Sequence, residues 1–352
     1  MQTLFQLTQK EYDALCKKYF PFAEHEKKLN ECYEMIKKLQ QEIDEIKACI
    51  KARDVSPAGH PHTPVMRVSS RHNKTSVKQQ DTQSDAAPSE TMYENDLAVD
   101  IRDGGAVITK YTGMQKFKII IPQRIRDHEV TAIGDDVFRN QRNLRIIVLP
   151  DSLREIGRNA FRGCTALNTV RFPDSLTKIG ACAFESCLYL KSIGIPESVK
   201  EIGENAFKGC TALTDVTLPY GITVIPEGLF KNCTALENIV IPYDTTRISD
   251  EAFGYCTSLK EINIPKTVTS IGENAFCDCS ALSELTVPSG VTEIGFGAFA
   301  RCTSLTRITI RGIGTEIGFG AFDQCRDLTI YAPAESYAAD FAVKNNIVLH
   351  II

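Results

Sequence analysis

The chain has 352 residues, 43% of them hydrophobic and 24% charged, with a formal net charge of −4. Such a length can bury a sizeable core or hold more than one domain, and the charge balance offers no basic face for nucleic acid. No apolar run approaches the roughly 18 residues that a membrane-spanning helix needs.

The first stretch, MQTLFQLTQKEYDALCKK, lacks the basic start and apolar run of a secretory signal. A cytoplasmic location is therefore expected, with the cell surface or secretion by another route as the alternative. Thr8 and Glu11 form a T-x-x-E capping box that opens a short helix, which Pro21 ends or kinks. A second helix is expected from about Ala23 to Ala52. Its apolar residues fall at Leu29, Cys32, Ile36, Leu39, Ile43, Ile46 and Ile50, the alternating steps of three and four that make a heptad seam. The seam predicts an α-helical coiled coil and a homo-oligomer, dimer or trimer. An antiparallel hairpin with the first helix would bury the same stripe within one chain. Residues 53–96 are rich in Ser, Thr, Gln, Asp, Lys and Pro and cannot bury enough to offset ordering, so they are expected to be a disordered linker.

From 97 the pattern changes again. Ala106 to Tyr111 and Lys116 to Ile121 read as strands of an N-terminal cap over 97–132, with Gly104-Gly105 and Thr112-Gly113 as turns. A phenylalanine then returns every 23 residues, nine times, from Phe138 to Phe322. A leucine six residues later keeps the same beat from Leu144 to Leu328, and a cysteine fills the third position after the phenylalanine from Cys164 to Cys325. A strict period of this length marks stacked coils. One coil offers only six to eight apolar side chains, for example Ile202, Phe207, Leu213 and Ile222. Burying each yields roughly 1.5–3 kcal/mol, whereas ordering the backbone costs roughly 1–2 kcal/mol per residue. A lone coil loses that balance, and stacking reverses it.

Within each coil, L-x-x-I-x-I-P alternates with period two and should be the sheet strand, stopped by its proline. The I-G-x-x-A-F-x-x-C part should be a short helical or irregular turn whose glycine column takes a backbone shape that a side chain would obstruct. Pro226 and Ser249 interrupt that column, and Thr245 and Gly314 interrupt the apolar column before it, which predicts softer coils. No asparagine ladder follows the strand; Ser152, Ser175, Ser198, Gly221 and Asp244 stand there instead. The array should end at 330, with a C-terminal cap over 331–352. There Ala334 to Lys344 reads as a helix with Tyr337, Phe341 and Val343 apolar, and Ile347 to Ile352 as a last strand.

The blocks IGENAFKGCTALTDVTLP and IGENAFCDCSALSELTVP resemble the BspA-like leucine-rich repeat family, over about residues 97–340. The resemblance implies a leucine-rich repeat solenoid of 23-residue repeats with a parallel β-sheet on one face. It also implies adhesion and recognition instead of catalysis, most often at a microbial surface. The expected architecture is a coiled coil over 1–52, a linker over 53–96 and the solenoid over 97–352.

Residues for catalysis are scarce. None of His25, His60, His62, His72, His128 and His350 lies between the caps, so no His-based relay can be assembled on the repeats. No cofactor or metal site is expected; Cys277 and Cys279 are a close pair, with Cys277 expected to be exposed. The cysteine column should be reduced and buried, each thiol serving as a small hydrophobe. Neighbouring members would nonetheless stand about 5 Å apart, within disulfide reach. The outward strand residues offer a candidate binding face for a protein ligand, since solenoids bind partners on such extended surfaces. One column holds Thr169, Ser192, Asp215, Asn238, Glu261, Glu284 and Arg307, and the other includes Arg171, Thr217, Asn263 and Thr286. The lack of aromatics in both columns counts against the face, because interface hot spots favour Trp, Tyr and Arg.

Overall fold

A computed structural model of the protein describes residues 92–94 and 96–352. The heptad seam from Leu29 to Ile50 and nearly all of the expected linker lie outside the described residues.

The first strands, Met92–Glu94, Leu97–Arg102 and Gly105–Tyr111, pair antiparallel. Asp103 and Gly104 make the reversal, both with positive φ, the geometry of a two-residue hairpin turn. Gly105–Tyr111 then pairs parallel with His128–Ile133, and that strand pairs with Glu155–Ile156 of the next coil. The cap is thus a β-meander grafted onto the stack. Two of its strands, Leu97–Arg102 and His128–Ile133, were not legible in the sequence pattern. Tyr111 places its ring 5.4 Å from Phe138 and starts the aromatic column.

Each regular coil contributes two strands, where the repeat pattern predicted one. The expected row runs from Lys118–Ile120 and Ile146–Val148 through Ser192–Gly194 and Asn238–Val240 to Arg307–Ile310. Where its members pair in the regular coils they do so in parallel 23 residues apart, as in Ser192↔Asp215 and Glu284↔Arg307, although the row is interrupted before Ser192, Asn238 and Glu284. A second row is made of two-residue strands such as Lys178–Ile179, Glu201–Ile202 and Arg247–Ile248. Two residues are too few to display an alternation, so this row has no periodic signature.

The nine phenylalanine rings form one internal spine. Phe138 through Phe299 are fully buried, and successive rings stack with centroids 5.1 to 6.0 Å apart. At the C-terminal end Phe341 meets Phe322 edge-on at 5.9 Å and closes the column. Phe341 belongs to the helix Tyr337–Lys344, capped by Ser336, whose hydroxyl accepts a hydrogen bond from the Ala339 amide. The helix buries Ala338, Ala339 and Ala342, while Tyr337 and Val343, read as part of its apolar face, point to solvent.

The turn around each phenylalanine is irregular and has a fixed recipe. The residues two before and two after the ring carry positive φ in every coil, for example Asn159 and Gly163, Asn205 and Gly209, Asn274 and Asp278. Asn, Asp and Gly tolerate that region best, yet Tyr255, Arg301 and Gln324 also occupy it. The glycine column has a different cause. A Cβ on Gly180 would come within 2.6 Å of the Gly157 carbonyl carbon, and one on Gly203 within 2.3 Å of the Ala181 amide nitrogen. Backbone of the preceding coil fills the space a side chain would need.

The amides of this column donate to the isoleucine carbonyl of the preceding coil, as in Gly180 to Ile156 at 2.7 Å and Gly272 to Ile248 at 2.8 Å. Pro226 has no N–H to give. The second strand row accordingly stops at Glu201–Ile202 and resumes at Val224–Ile225. The ring spacing peaks at 6.0 Å between Phe207 and Phe230, and a cleft of about 390 Å³ opens over Ile202, Val224 and Pro226. Ser249 breaks nothing; its amide still reaches Ile225 at 3.0 Å. Thr245 does not weaken its column either. It is fully buried, and its hydroxyl donates to the Ile222 carbonyl at 3.1 Å. Beside Gly314, Thr315 is buried and donates to the Val291 carbonyl at 2.7 Å.

Hydroxyls also replace the missing asparagine ladder. Ser152, Ser175 and Ser198 donate to the carbonyls of Val130, Leu153 and Leu176 at 2.8, 2.6 and 2.6 Å. The cysteine column works similarly. Cys164, Cys256 and Cys302 donate to the carbonyls of Phe138, Phe230 and Phe276 at 3.0, 3.2 and 3.1 Å, so the thiol is a hydrogen-bond donor as well as a small apolar group. All ten described cysteines are free.

Candidate functional site

The strand row that carries the candidate face alternates as its sequence requires. Val170, Ile193, Ile239, Ile262, Leu285 and Ile308 point inward and are buried. Thr169, Arg171, Ser192, Asp215, Thr217, Asn238, Glu261, Asn263, Glu284, Thr286 and Arg307 are all exposed. The parallel register places Asp215 beside Ser192, Glu261 beside Asn238, and Arg307 beside Glu284. Arg307 and Glu284 make a contact of 3.4 Å, and both are more than half exposed, so the pair contributes little to stability. The face is a row of polar groups held by a buried framework, with most of its side chains uncommitted.

Its two ends differ from its middle. Carrying the two columns back beyond Thr169 and Arg171 leads to Ile146 and Val148, then to Lys118 and Ile120. Ile120, Ile146 and Val148 are exposed, as is Phe117, two-thirds open and covered by the Arg145 guanidinium at 5.4 Å. Carrying them forward leads to Tyr331, which lies under the Arg307 guanidinium at 5.4 Å and stacks on His350 at 4.8 Å. The aromatics missing from the regular coils thus stand at both ends of the row. The two columns from Thr169 to Arg307 hold no aromatic, as read. The flanking coils depart from the 23-residue frame, and extending the columns by strand register reaches Tyr331 but passes beside Phe117.

The opposite turns hold the other polar clusters. Cys277, expected at the surface, is buried. It lies beneath Arg301, whose guanidinium reaches the Cys277 sulfur at 3.1 Å, the Tyr255 hydroxyl at 3.3 Å and, through Nε, the Asp278 carboxylate at 2.7 Å. That contact holds the Asp278 carboxyl below its usual range, and burial pushes the Cys277 thiol up to about 11. The cluster ties three coils together and offers no reactive thiolate. Among the described residues no group of three or more His, Cys, Asp or Glu side chains is placed to hold a metal ion, and no helix is long and apolar enough to cross a membrane.

Comparison with known proteins bears on the repeats. A family profile described as "BspA type Leucine rich repeat region (6 copies)" matches residues 131–258 and 223–338. A leucine-rich repeat protein from Bacteroides ovatus is similar at 27% identity, over 68% of this chain and 70% of that one, with a TM-score of 0.55. A T. pallidum leucine-rich repeat protein is also 27% identical, over 61% of this chain and 91% of its own, with a TM-score of 0.51. No match was found among curated proteins. With an aromatic spine, a glycine contact column and a family profile covering more than half its length, the chain belongs to the BspA-type leucine-rich repeat family.

Proposed function

We propose that this chain is a non-enzymatic recognition module that binds a protein partner along its exposed strand row. The observation that carries this reading is the contrast within single strands. The inward residues are locked into one core, while eleven outward polar residues in two columns lie open between Phe117–Arg145 at one end and Tyr331–Arg307 at the other. Aromatic and arginine anchors near a polar surface are the usual carriers of binding energy. Repeat proteins of this kind typically bind other proteins, which supports the same conclusion. The N-terminal heptads would join two or three copies, so that each weak contact gains from a linked neighbour.

The test compares full-length protein with a triple variant, Asp215→Ala, Asn238→Ala and Glu261→Ala, and with a control altered on another face at Glu204 and Glu227. Partners retained by the control and lost by the triple variant would support the strand row. Equal retention by all three proteins would refute it. Sedimentation of the full chain tests the oligomer; a monomer mass would remove that part of the proposal.

A further inference from the structure

A second concavity lies away from the strand row, on the corner formed by the residues after each phenylalanine. It has a volume of about 510 Å³ and is lined by Arg139, Arg142, Arg162, Thr165 and Tyr189, among others, with no carboxylate in its wall. That volume falls in the roughly 300–1,000 Å³ range of small-ligand sites. Two of the arginines are partly neutralised from outside the cleft: Arg139 by Asp136 at 2.9 Å, and Arg162 by Glu185 at 3.0 Å. Arg142 is exposed and, among the described residues, no acid pairs with it.

The corner is built differently in later coils. There the residue after the cysteine is Thr211, Thr234, Thr257 or Ser280, whose hydroxyls donate to the preceding coil at 3.3 to 3.5 Å. Here that column reads Arg142, Thr165, Leu188, and the Thr165 hydroxyl makes no such bond. The next column is mostly alanine and serine, and Tyr189 stands out of it with 62% of its surface exposed. Among the described residues, the cleft therefore combines an uncompensated guanidinium, uncommitted hydroxyl and amide groups on Thr165, Ser186 and Asn140, and an open aromatic ring.

We propose that this cleft binds an acidic saccharide. Arg142 would take the carboxylate or sulfate, because guanidinium matches planar oxyanions in a fork. Thr165, Ser186 and Asn140 both give and accept hydrogen bonds, which suits the hydroxyls of a sugar. The Tyr189 ring would cover the apolar face of the pyranose. A peptide ligand fits less well. Extended peptides are held by free backbone groups of a strand edge, whereas the corner amides of Asn140, Gly163 and Ser186 already donate to Arg162, Glu185 and Lys208 of the next coil. The site is separate from the strand row, so the two proposals stand or fall independently.

The test is equilibrium binding of a chondroitin sulfate hexasaccharide to full-length protein at physiological salt. A neutral chitin hexasaccharide, inorganic sulfate and a phosphoserine peptide serve as comparison probes. The expected result is saturable binding of the acidic hexasaccharide, weakened roughly tenfold or more by Arg142→Ala and also weakened by Tyr189→Ala. Arg171→Ala on the strand row should leave it unchanged. Thermal melts of both cleft variants should match the parent, since among the described residues neither side chain has an ion pair to lose. The proposal is overturned if Arg142→Ala binds like the parent, if the neutral hexasaccharide binds equally well, or if the phosphoserine peptide is preferred. It is overturned too if inorganic sulfate displaces the sugar and Tyr189→Ala has no effect, which would mark a plain anion patch.

Discussion

Three glycines separate the reasons a repeat keeps that residue, and Gly180→Ala is the decisive substitution. An added Cβ would meet the Gly157 carbonyl carbon at 2.6 Å, the Arg158 nitrogen at 2.7 Å and the Gly157 oxygen at 2.9 Å. All three are backbone atoms, so no side chain can swing aside and the two coils must part. Parting them strains the bonds from Gly180 to Ile156 and from Asn159 to Ala181, now 2.7 and 2.9 Å. Each contributes about 1 kcal/mol, and forced overpacking costs about 1–3 kcal/mol besides. The expected loss is about 2–5 kcal/mol, read as a shift in denaturant midpoint and as faster amide exchange at Gly180 and Asn159. Gly194→Ala is the matched control. Its Cβ would meet nothing within 4 Å and its φ is not left-handed, so it should be neutral or stabilising by about 0.5–1 kcal/mol. A Gly180→Ala loss below about 0.5 kcal/mol, the scatter of ordinary surface changes, would show that the column is not set by contact between coils.

Alkaline pH should unfold the array. Burial pushes Cys164, Cys210 and Cys256 up to about 12, against an ordinary thiol value near 8.5. The unfolded chain therefore releases protons that the folded chain retains, so stability is full below about pH 8.5 and falls as pH rises toward 12, by about 1.4 kcal/mol per unit for each buried thiol. Melting temperatures recorded across pH 8 to 11 should drop steeply, and less so in a Cys210→Ser, Cys256→Ser double variant; parallel slopes would refute the linkage. Gln324 sits at φ 65, exposed, so Gln324→Gly should be neutral or stabilising by up to about 1 kcal/mol. Gly209→Ala at φ 73, where the nearest foreign atom is 3.5 Å away, should cost about 1–2 kcal/mol, and urea midpoints of the two variants would show whether their signs differ. Phe253→Ala removes a fully buried ring stacked at 5.8 and 5.3 Å on its neighbours and should cost about 3–5 kcal/mol; a midpoint shift worth less than about 2 kcal/mol would mean that the spine is not the core.

The residues legible from the sequence are those whose environment repeats every 23 positions. Phe138 through Phe322, the leucine column and the inward isoleucines fall where the period puts them, because stacking in register gives equal positions equal surroundings. The outward face followed from the same alternation. What escaped were features with no apolar signature. The short second strands are too brief to alternate. The hydroxyl ladders of Ser152, Ser175 and Ser198 look like solvated turn residues until a carbonyl of the preceding coil is seen at 2.6–2.8 Å. The left-handed positions are hidden where Tyr255, Arg301 or Gln324 replaces Asn or Gly. Arg142 and Tyr189 stand two coils apart in the chain, and only the stacking brings them to one cleft. The capping strand Leu97–Arg102 escaped for the opposite reason, being buried along most of its length and so showing no alternation.

The imino acid at 226 also divides the molecule mechanically. The second strand row is zipped from Glu155 to Ile202 and again from Val224 to Ile317, but between Ile202 and Val224 it is undone. The first row does not pair Asp215–Thr217 with Asn238–Val240 at the same step, and the rings stand furthest apart there. A load applied along the stack would concentrate strain at that rung, so the rod should yield as two stiff halves joined by a softer waist.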